Sequence, residues 1–165
     1  VELAFSSFLM YMGMYYEAVE IASNVDDRFK KSGMYWDHFE CGGHYCRPLS
    51  GWAIVIAAAG YSVVCNEHAF KPNVPGERIK LYVTGSDFTG TYTHDKFNNK
   101  ASFEVLSGAM TAKSLKVEVE DIDFTNVGVY VDGNKVENAT IDAADGYVKV
   151  VFNGEVKIND KIEFC

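Results

Sequence analysis

The sequence predicts an α+β protein in which a helical hairpin over residues 1–62 precedes an antiparallel β module over residues 63–165. Two observations predict this division. Apolar residues recur at helical spacing before Gly60 and at a spacing of two residues after it. Short runs of the second kind, separated by Asp-Gly turn signals, are typical of an antiparallel sandwich.

The first predicted helix covers residues 3–29 and is stopped by Ser32-Gly33. The second begins near Arg47, with Pro48 suited to the first turn, and ends at Gly60, a residue suited to a C-terminal cap. A loop over residues 34–47 joins them. Because loops of this length in compact proteins are often functional, the loop is the first place to look for a site.

The β module contains short runs with strand character, and two turn signals, Asp132-Gly133-Asn134 and Asp145-Gly146, fall among them. The predicted strands cover residues 69–71, 78–83, 89–94, 101–106, 115–120, 127–131, 139–142, 147–152 and 161–164.

The amino-acid composition limits the classes of function that the protein can have. Hydrophobic residues make up 48% of the 165 residues, which favours a packed core, and the net charge of −8 argues against a nucleic-acid partner. No apolar run is long enough for a transmembrane segment. The sequence starts at Val1 without Met and opens directly into helical periodicity, so we expect a piece of a longer or processed protein. The compartment stays open, with the cytoplasm favoured over secretion.

Cysteine and acidic residues offer weak metal signals, and we expect no cofactor and no metal. The spacing of Cys41, Cys46, Cys65 and Cys165 matches no zinc module. Buried or unpaired thiols are favoured over two disulfides. A zinc site formed by Cys41, His44, Cys46 and Cys65 is the least favoured of the three alternatives. The acidic run Glu118, Glu120, Asp121 and Asp123 favours a solvated strand edge over a Ca²⁺ site. His68 and His94 have no evident partner in the sequence.

The loop over residues 34–47 concentrates groups that bind sugars. Aromatic rings can stack on a pyranose, and charged or polar side chains can hold hydroxyl groups. On chemistry alone, a binding site and an ordinary packing corner remain equally open. The candidate residues are Tyr35, Trp36, Asp37, His38, Glu40, His44, Tyr45 and Arg47.

The motif Glu40-Cys-Gly-Gly-His-Tyr-Cys-Arg47, with Ser50-Gly-Trp-Ala53 and Ala57-Ala-Ala-Gly-Tyr61 after it, resembles glycoside hydrolase family 116. This family contains the non-lysosomal glucosylceramidases and bacterial β-glucosidases. Its members carry a pattern close to Asn-Glu-Ile-Glu-Cys-Gly-x-His-Tyr-Ala-Arg. Weaker similarity extends over roughly residues 5–95, through Met14–Ala22 before the motif and Phe70–Pro72 and Phe88–Tyr92 after it.

The resemblance implies that the helical hairpin belongs to an (α/α)6 barrel of a retaining exo-β-glycosidase. Such enzymes use a Glu nucleophile and an Asp acid/base. Both lie upstream of this segment in the family, and no Asp or Glu here matches them. This chain is therefore expected to be catalytically silent alone and to need the N-terminal remainder of the enzyme, covalent or separate, as its partner.

The same resemblance implies a carbohydrate substrate, recognised by two loop residues. The family's sugar-binding Arg maps onto Arg47, whereas its sugar-binding Glu maps onto His38, an imidazole that accepts fewer hydroxyl protons. The substrate therefore need not be a glucoside. Asp37 and Trp36 are further candidates, while Glu40 and His44 are favoured as structural loop residues over catalytic ones.

Two rival hypotheses remain: a non-catalytic carbohydrate-binding or extracellular module with an immunoglobulin-like sandwich, and a family member that binds sugar without turnover. An excised hairpin should expose a large apolar patch, whereas an independent module should not.

Overall fold

The computed structural model describes residues 1–34 and 49–165, which form two compact units, Val1–Ala58 and Ala59–Cys165. Strands account for about 50% of the described residues and are arranged in two sheets. The predicted membership of an (α/α)6 barrel is wrong, because such a barrel needs a ring of paired helices that bury one another's apolar faces. The described residues contain only three short helices. The sandwich-like β module is consistent with the structure.

The helices of the first unit are α1 (Glu2–Tyr11), α2 (Tyr15–Lys31) and α3 (Leu49–Ala59). The single helix predicted over residues 3–29 is therefore two. Gly13, with φ of 78°, ends α1: its N–H bonds to Met10 O at 3.0 Å, and the N–H of Met14 bonds to Leu9 O at 3.0 Å. This paired closure satisfies the last carbonyls of a helix and needs a residue that tolerates positive φ.

The same closure ends α2, which confirms the stop predicted at Ser32-Gly33. Gly33, with φ of 73°, donates to Lys30 O at 3.0 Å, and the Met34 N–H donates to Phe29 O at 2.9 Å. None of the helices in residues 1–34 and 49–165 has the length and apolar character to cross a membrane.

A small core holds the first unit together. Its buried members are Leu9, Met10, Ala18 and Ala57, from all three helices. The buried Ser6 hydroxyl donates to Ala18 O at 2.6 Å and so links α1 to α2 without an unsatisfied polar group.

The second unit consists of ten strands and one short 3₁₀ turn, Lys96–Asn98. The strands are β1 (Tyr61–Val64), β2 (Glu67–Phe70), β3 (Arg78–Thr84), β4 (Phe88–Asp95), β5 (Lys100–Gly108), β6 (Met110–Asp123), β7 (Val129–Val131), β8 (Asn134–Lys135), β9 (Ala139–Ile158) and β10 (Lys161–Phe164).

These strands form a four-stranded sheet of order β1-β2-β6-β9 and a six-stranded sheet of order β3-β4-β5-β10-β7-β8. All pairs are antiparallel except β2 with β6. Aromatic side chains from the two sheets meet in a shared core. Phe70 of β2 lies 5.0 Å from Tyr92 of β4 and 5.4 Å from Phe103 of β5, measured between ring centroids, and all three are fully or almost fully buried.

Turn residues explain where the strand prediction succeeds and fails. The predicted strand over residues 161–164 is confirmed. The predicted turn at Asp132-Gly133 is also confirmed: its two residues have positive φ, 49° and 79°, and lie between the paired residues Val131 and Asn134. The prediction of a hairpin turn at Asp145-Gly146 is wrong. Gly146, with φ of 82°, lies inside the continuous β9, near a register shift of the β6–β9 pair. A glycine with positive φ there makes an irregularity within a strand, not a reversal.

Candidate functional site

The predicted sugar-binding residues lie outside the part of the chain that the structure describes. This holds for Trp36, Asp37, His38, Glu40, His44 and Arg47, and also for Cys41 and Cys46. The helices on either side in sequence are described: α2 ends at Lys31 and α3 begins at Leu49.

The helices that flank this segment expose many large apolar side chains. Tyr16 is 74% exposed, Trp52 66% and Phe8 56%, whereas only five hydrophobic residues are buried in the described part of this unit. Further exposed members are Phe5, Tyr11, Met12, Met14, Val19 and Val55. Apolar exposure on this scale is uncommon for an independent module and is typical of a surface that contacts other protein.

His68, which has no evident partner in sequence, is bonded on both ring nitrogens in the structure. Its side chain is buried on β2, with Nδ1 3.0 Å from the Tyr61 hydroxyl and Nε2 2.9 Å from Thr111 O. Because a carbonyl only accepts, Nε2 carries the proton and Nδ1 accepts from Tyr61. Burial lowers the pKa of His68, against the opposing effect of the Thr111 bond, and burial also raises the pKa of Tyr61 to about 12.

His94 on β4 has a similar environment. Its Nε2 lies 3.3 Å from Gly76 O and its Nδ1 lies 3.5 Å from the Tyr92 hydroxyl. Burial is the main cause that lowers the pKa of His94, and the nearby Lys96 acts in the same direction. Both histidines thus link an exposed backbone carbonyl to a tyrosine of the aromatic core. This arrangement fits a structural role, because neither ring nitrogen is left free for proton transfer.

The acidic run near the end of β6 is engaged by neighbouring side chains. Glu118 contacts Lys116 and also Lys71, at 3.4 Å, and the hydrogen bond from Lys116 is the main cause that lowers its pKa. Asp121 pairs with Lys96 at 3.2 Å, and Asp123 accepts from Thr125. These ion pairs leave the carboxylates pointing at different partners.

Cys65 and Cys165 carry exposed, free thiols. Among residues 1–34 and 49–165, no group of three or more His, Cys, Asp or Glu side chains could hold a metal ion. The cysteine pairings that involve Cys41 or Cys46 stay predictions.

No protein-family model matches this sequence, and no curated protein matches it either. The resemblance to family 116 therefore depends on the residues of the 40–61 segment themselves.

Proposed function

We propose that this chain belongs to a retaining, exo-acting glycoside hydrolase and contributes recognition of the terminal sugar. The motif Glu40-Cys-Gly-Gly-His-Tyr-Cys-Arg47 carries this proposal, because its aromatic and charged groups follow an order that resembles the pattern of β-glucosidases and glucosylceramidases of family 116. In this function the catalytic Glu and Asp come from another part of the enzyme.

Each loop residue has a distinct part in sugar recognition. Arg47 offers a planar fork of donors to two neighbouring hydroxyl groups, and Asp37 offers acceptors. Trp36 supplies a ring face for the apolar side of the sugar. His38 replaces a carboxylate of the family pattern, so the hydroxyl that it faces is held by one acceptor or one donor. Glu40 and His44 hold the loop.

The exposed aromatic side chains of the first unit support an enzyme segment over an independent module. Full burial of one large apolar side chain stabilises a protein by about 1.5–3 kcal/mol, so an independent unit that leaves Phe8, Tyr16 and Trp52 in water forgoes much of its own stability. A partner that covers these side chains removes that cost. The N-terminal remainder of the enzyme is the partner that the proposal requires.

The test is hydrolysis of 4-nitrophenyl β-glycosides by the protein expressed from the complete reading frame that encodes this chain. Arg47→Ala should lower kcat/KM at least tenfold, because a hydrogen bond to a charged group contributes about 1.5–3 kcal/mol. Arg28→Ala is the matched control: this exposed arginine of α2 pairs with Glu2 at 2.5 Å, and such surface pairs contribute little.

Three outcomes decide the proposal. Near-normal kinetics in Arg47→Ala remove the loop from the site. Sugar binding without turnover favours the alternative, a non-catalytic carbohydrate-binding module. The two-sheet arrangement of Ala59–Cys165 is compatible with that alternative. A shift of preference toward β-glucosides in His38→Glu supports the assignment of this position, and unchanged specificity contradicts it.

A further inference from the structure

The solvent face of the six-stranded sheet carries a trough of about 150 Å³ across β4, β5 and β10. Since a water molecule occupies roughly 30 Å³ of liquid, the trough has room for a ligand group of about five waters. That volume suits one sugar ring and is smaller than a typical pocket for a drug-sized ligand.

Strand register builds the trough. Thr93, Ser102 and Glu163 lie side by side on the outward face, because Thr93 pairs with Ser102 and Ser102 pairs with Glu163. The adjacent row, His94, Ala101 and Phe164, also borders the trough, but its side chains are buried in the sandwich. Small hydroxyl side chains therefore lie in the middle of the trough, above the strand backbones.

Charged side chains form the walls, and most of them are already paired. Asp95 accepts from Arg78 Nε at 2.9 Å, and Lys161 Nζ lies 2.7 Å from Glu163 Oε1. Lys100 is directly opposite Asp95 in the register. Within the lining, two lysines thus face two carboxylates.

This balance decides the kind of ligand. An anion would place its charge beside Asp95 and Glu163, and a cation would compete with Arg78 and Lys161, which already hold those carboxylates. The net charge of −8 further disfavours an anionic ligand. A neutral, hydroxyl-rich ligand uses the ammonium donors and carboxylate acceptors without leaving a charge unpaired.

Tyr130 belongs to β7, the strand that neighbours β10, and is not itself one of the residues that line the trough. It is paired with Glu163 in the register, and its ring lies against Gly128: a Cβ on Gly128 would be 2.8 Å from Tyr130 Cε2 and 3.1 Å from Cys165 O. The same Cys165 borders the trough. An aromatic ring on the neighbouring strand can contact a sugar that extends beyond the trough.

We propose that this trough is a second sugar site, which holds one ring of a neutral oligosaccharide against Thr93, Ser102 and Glu163. The assignment rests on the proposed function for its substrate class, since a glycoside hydrolase acts on linked sugars. It adds a sugar site on the β unit, in Ala59–Cys165.

Titration of the 165-residue chain with cellotetraose, xylotetraose and tetragalacturonate tests this site by calorimetry and by amide NMR shifts. At least one neutral probe should bind at about 1 mM or below and shift the Thr93 and Ser102 amides, whereas tetragalacturonate should not. Ser102→Trp should fill the trough and weaken binding at least about tenfold, because tryptophan suits a strand but leaves no space for a sugar ring.

Ser107→Trp is the matched control, because Ser107 is an exposed serine of the same strand outside the trough. Glu163→Gln, which keeps the volume and removes the charge, should also weaken binding and covers the case in which Ser102→Trp fails to fold. Equal binding by both tryptophan variants, binding of tetragalacturonate alone, or no binding of a neutral probe overturns the proposal.

Arg47→Ala separates this proposal from the proposed function. Binding that is lost in Ser102→Trp but retained in Arg47→Ala supports the sheet site and leaves the loop without a role in this affinity. The reverse pattern places the sugar in the loop and rejects the sheet site.

Discussion

Replacement of Asp132 by alanine should destabilise the β unit more than its half-buried position in a turn would indicate. The carboxylate of Asp132 accepts three backbone N–H bonds from the turn before β10: from Asp160 at 2.9 Å, Lys161 at 3.0 Å and Asn159 at 3.1 Å. Asp132 itself has φ of 49° in the turn between β7 and β8. One side chain therefore joins two turns and fixes the start of β10.

The expected cost follows from these contacts. A hydrogen bond contributes about 0.5–1.5 kcal/mol net, and water can replace the lost acceptor at this surface, so three bonds amount to about 2 kcal/mol. Alanine in the left-handed region adds about 1 kcal/mol. Asp132→Ala should thus lower the free energy of unfolding by about 3 kcal/mol, and Asp132→Asn by about 1 kcal/mol, because asparagine keeps one acceptor and tolerates positive φ.

Calorimetry and urea unfolding followed by far-ultraviolet circular dichroism measure this cost. For a unit of this size, 1 kcal/mol lowers Tm by roughly 4–8 °C, so Asp132→Ala should melt more than about 10 °C below the wild type. The backbone bonds, opposed by partial burial, lower the pKa of Asp132 in the folded state. Its contribution is therefore present above the unfolded value of about 3.9 and lost as the pH falls through the folded pKa. Equal stability of the alanine and asparagine variants, or a gap between the wild type and Asp132→Ala that does not narrow as the pH falls, refutes the reasoning.

Two further predictions concern buried histidines and one glycine. Burial lowers the pKa of His68 and His94 in the folded protein, so the unfolded state binds more protons and stability should fall as the pH drops below about 6.5. The measurement is the urea midpoint as a function of pH. If this midpoint falls equally steeply in the wild type and in the His68→Gln, His94→Gln double variant, the prediction is wrong. Gly60→Ala should cost at least about 2 kcal/mol, because its φ is 58° and its Cβ would lie 1.6 Å from Lys71 O. Gly133 has open space around it, so Gly133→Ala should lower the free energy of unfolding by only about 1 kcal/mol. If thermal unfolding shows equal losses of stability in the two variants, the close approach of Gly60 to Lys71 O is unimportant.

Periodicity identified most elements of this chain but not their breaks. The apolar pattern of residues 3–29 continues across Gly13, because α1 and α2 contribute to the same small core. The break depends on a backbone conformation that the pattern does not report. Similarly, an Asp-Gly pair predicts a turn only when a partner strand returns, and β9 instead stays paired with β6 on both sides of Gly146.

The trough shows why a site on a sheet escapes sequence reasoning. Thr93 and Ser102 lie on neighbouring strands of one hairpin, and their alternation with buried residues could have placed them on one face. Glu163 joins them only because β10 pairs with β5, and nothing local in the sequence determines that strand order. By contrast, the loop motif is contiguous, so its residues are predicted together, but their geometry lies outside the described part of the chain.

The two proposed sugar sites depend on different parts of the chain, which makes them separable. The trough needs only the β unit, whose core is closed by fully buried side chains such as Phe70, Leu115 and Ile162. The proposed recognition of a terminal sugar by Arg47 would require the helical unit, whose Tyr16 and Trp52 are largely exposed to water. If those helices belong to a glycosidase, binding to the trough should survive in the 165-residue chain, while the Arg47 effect should appear only when the partner protein covers their apolar surface.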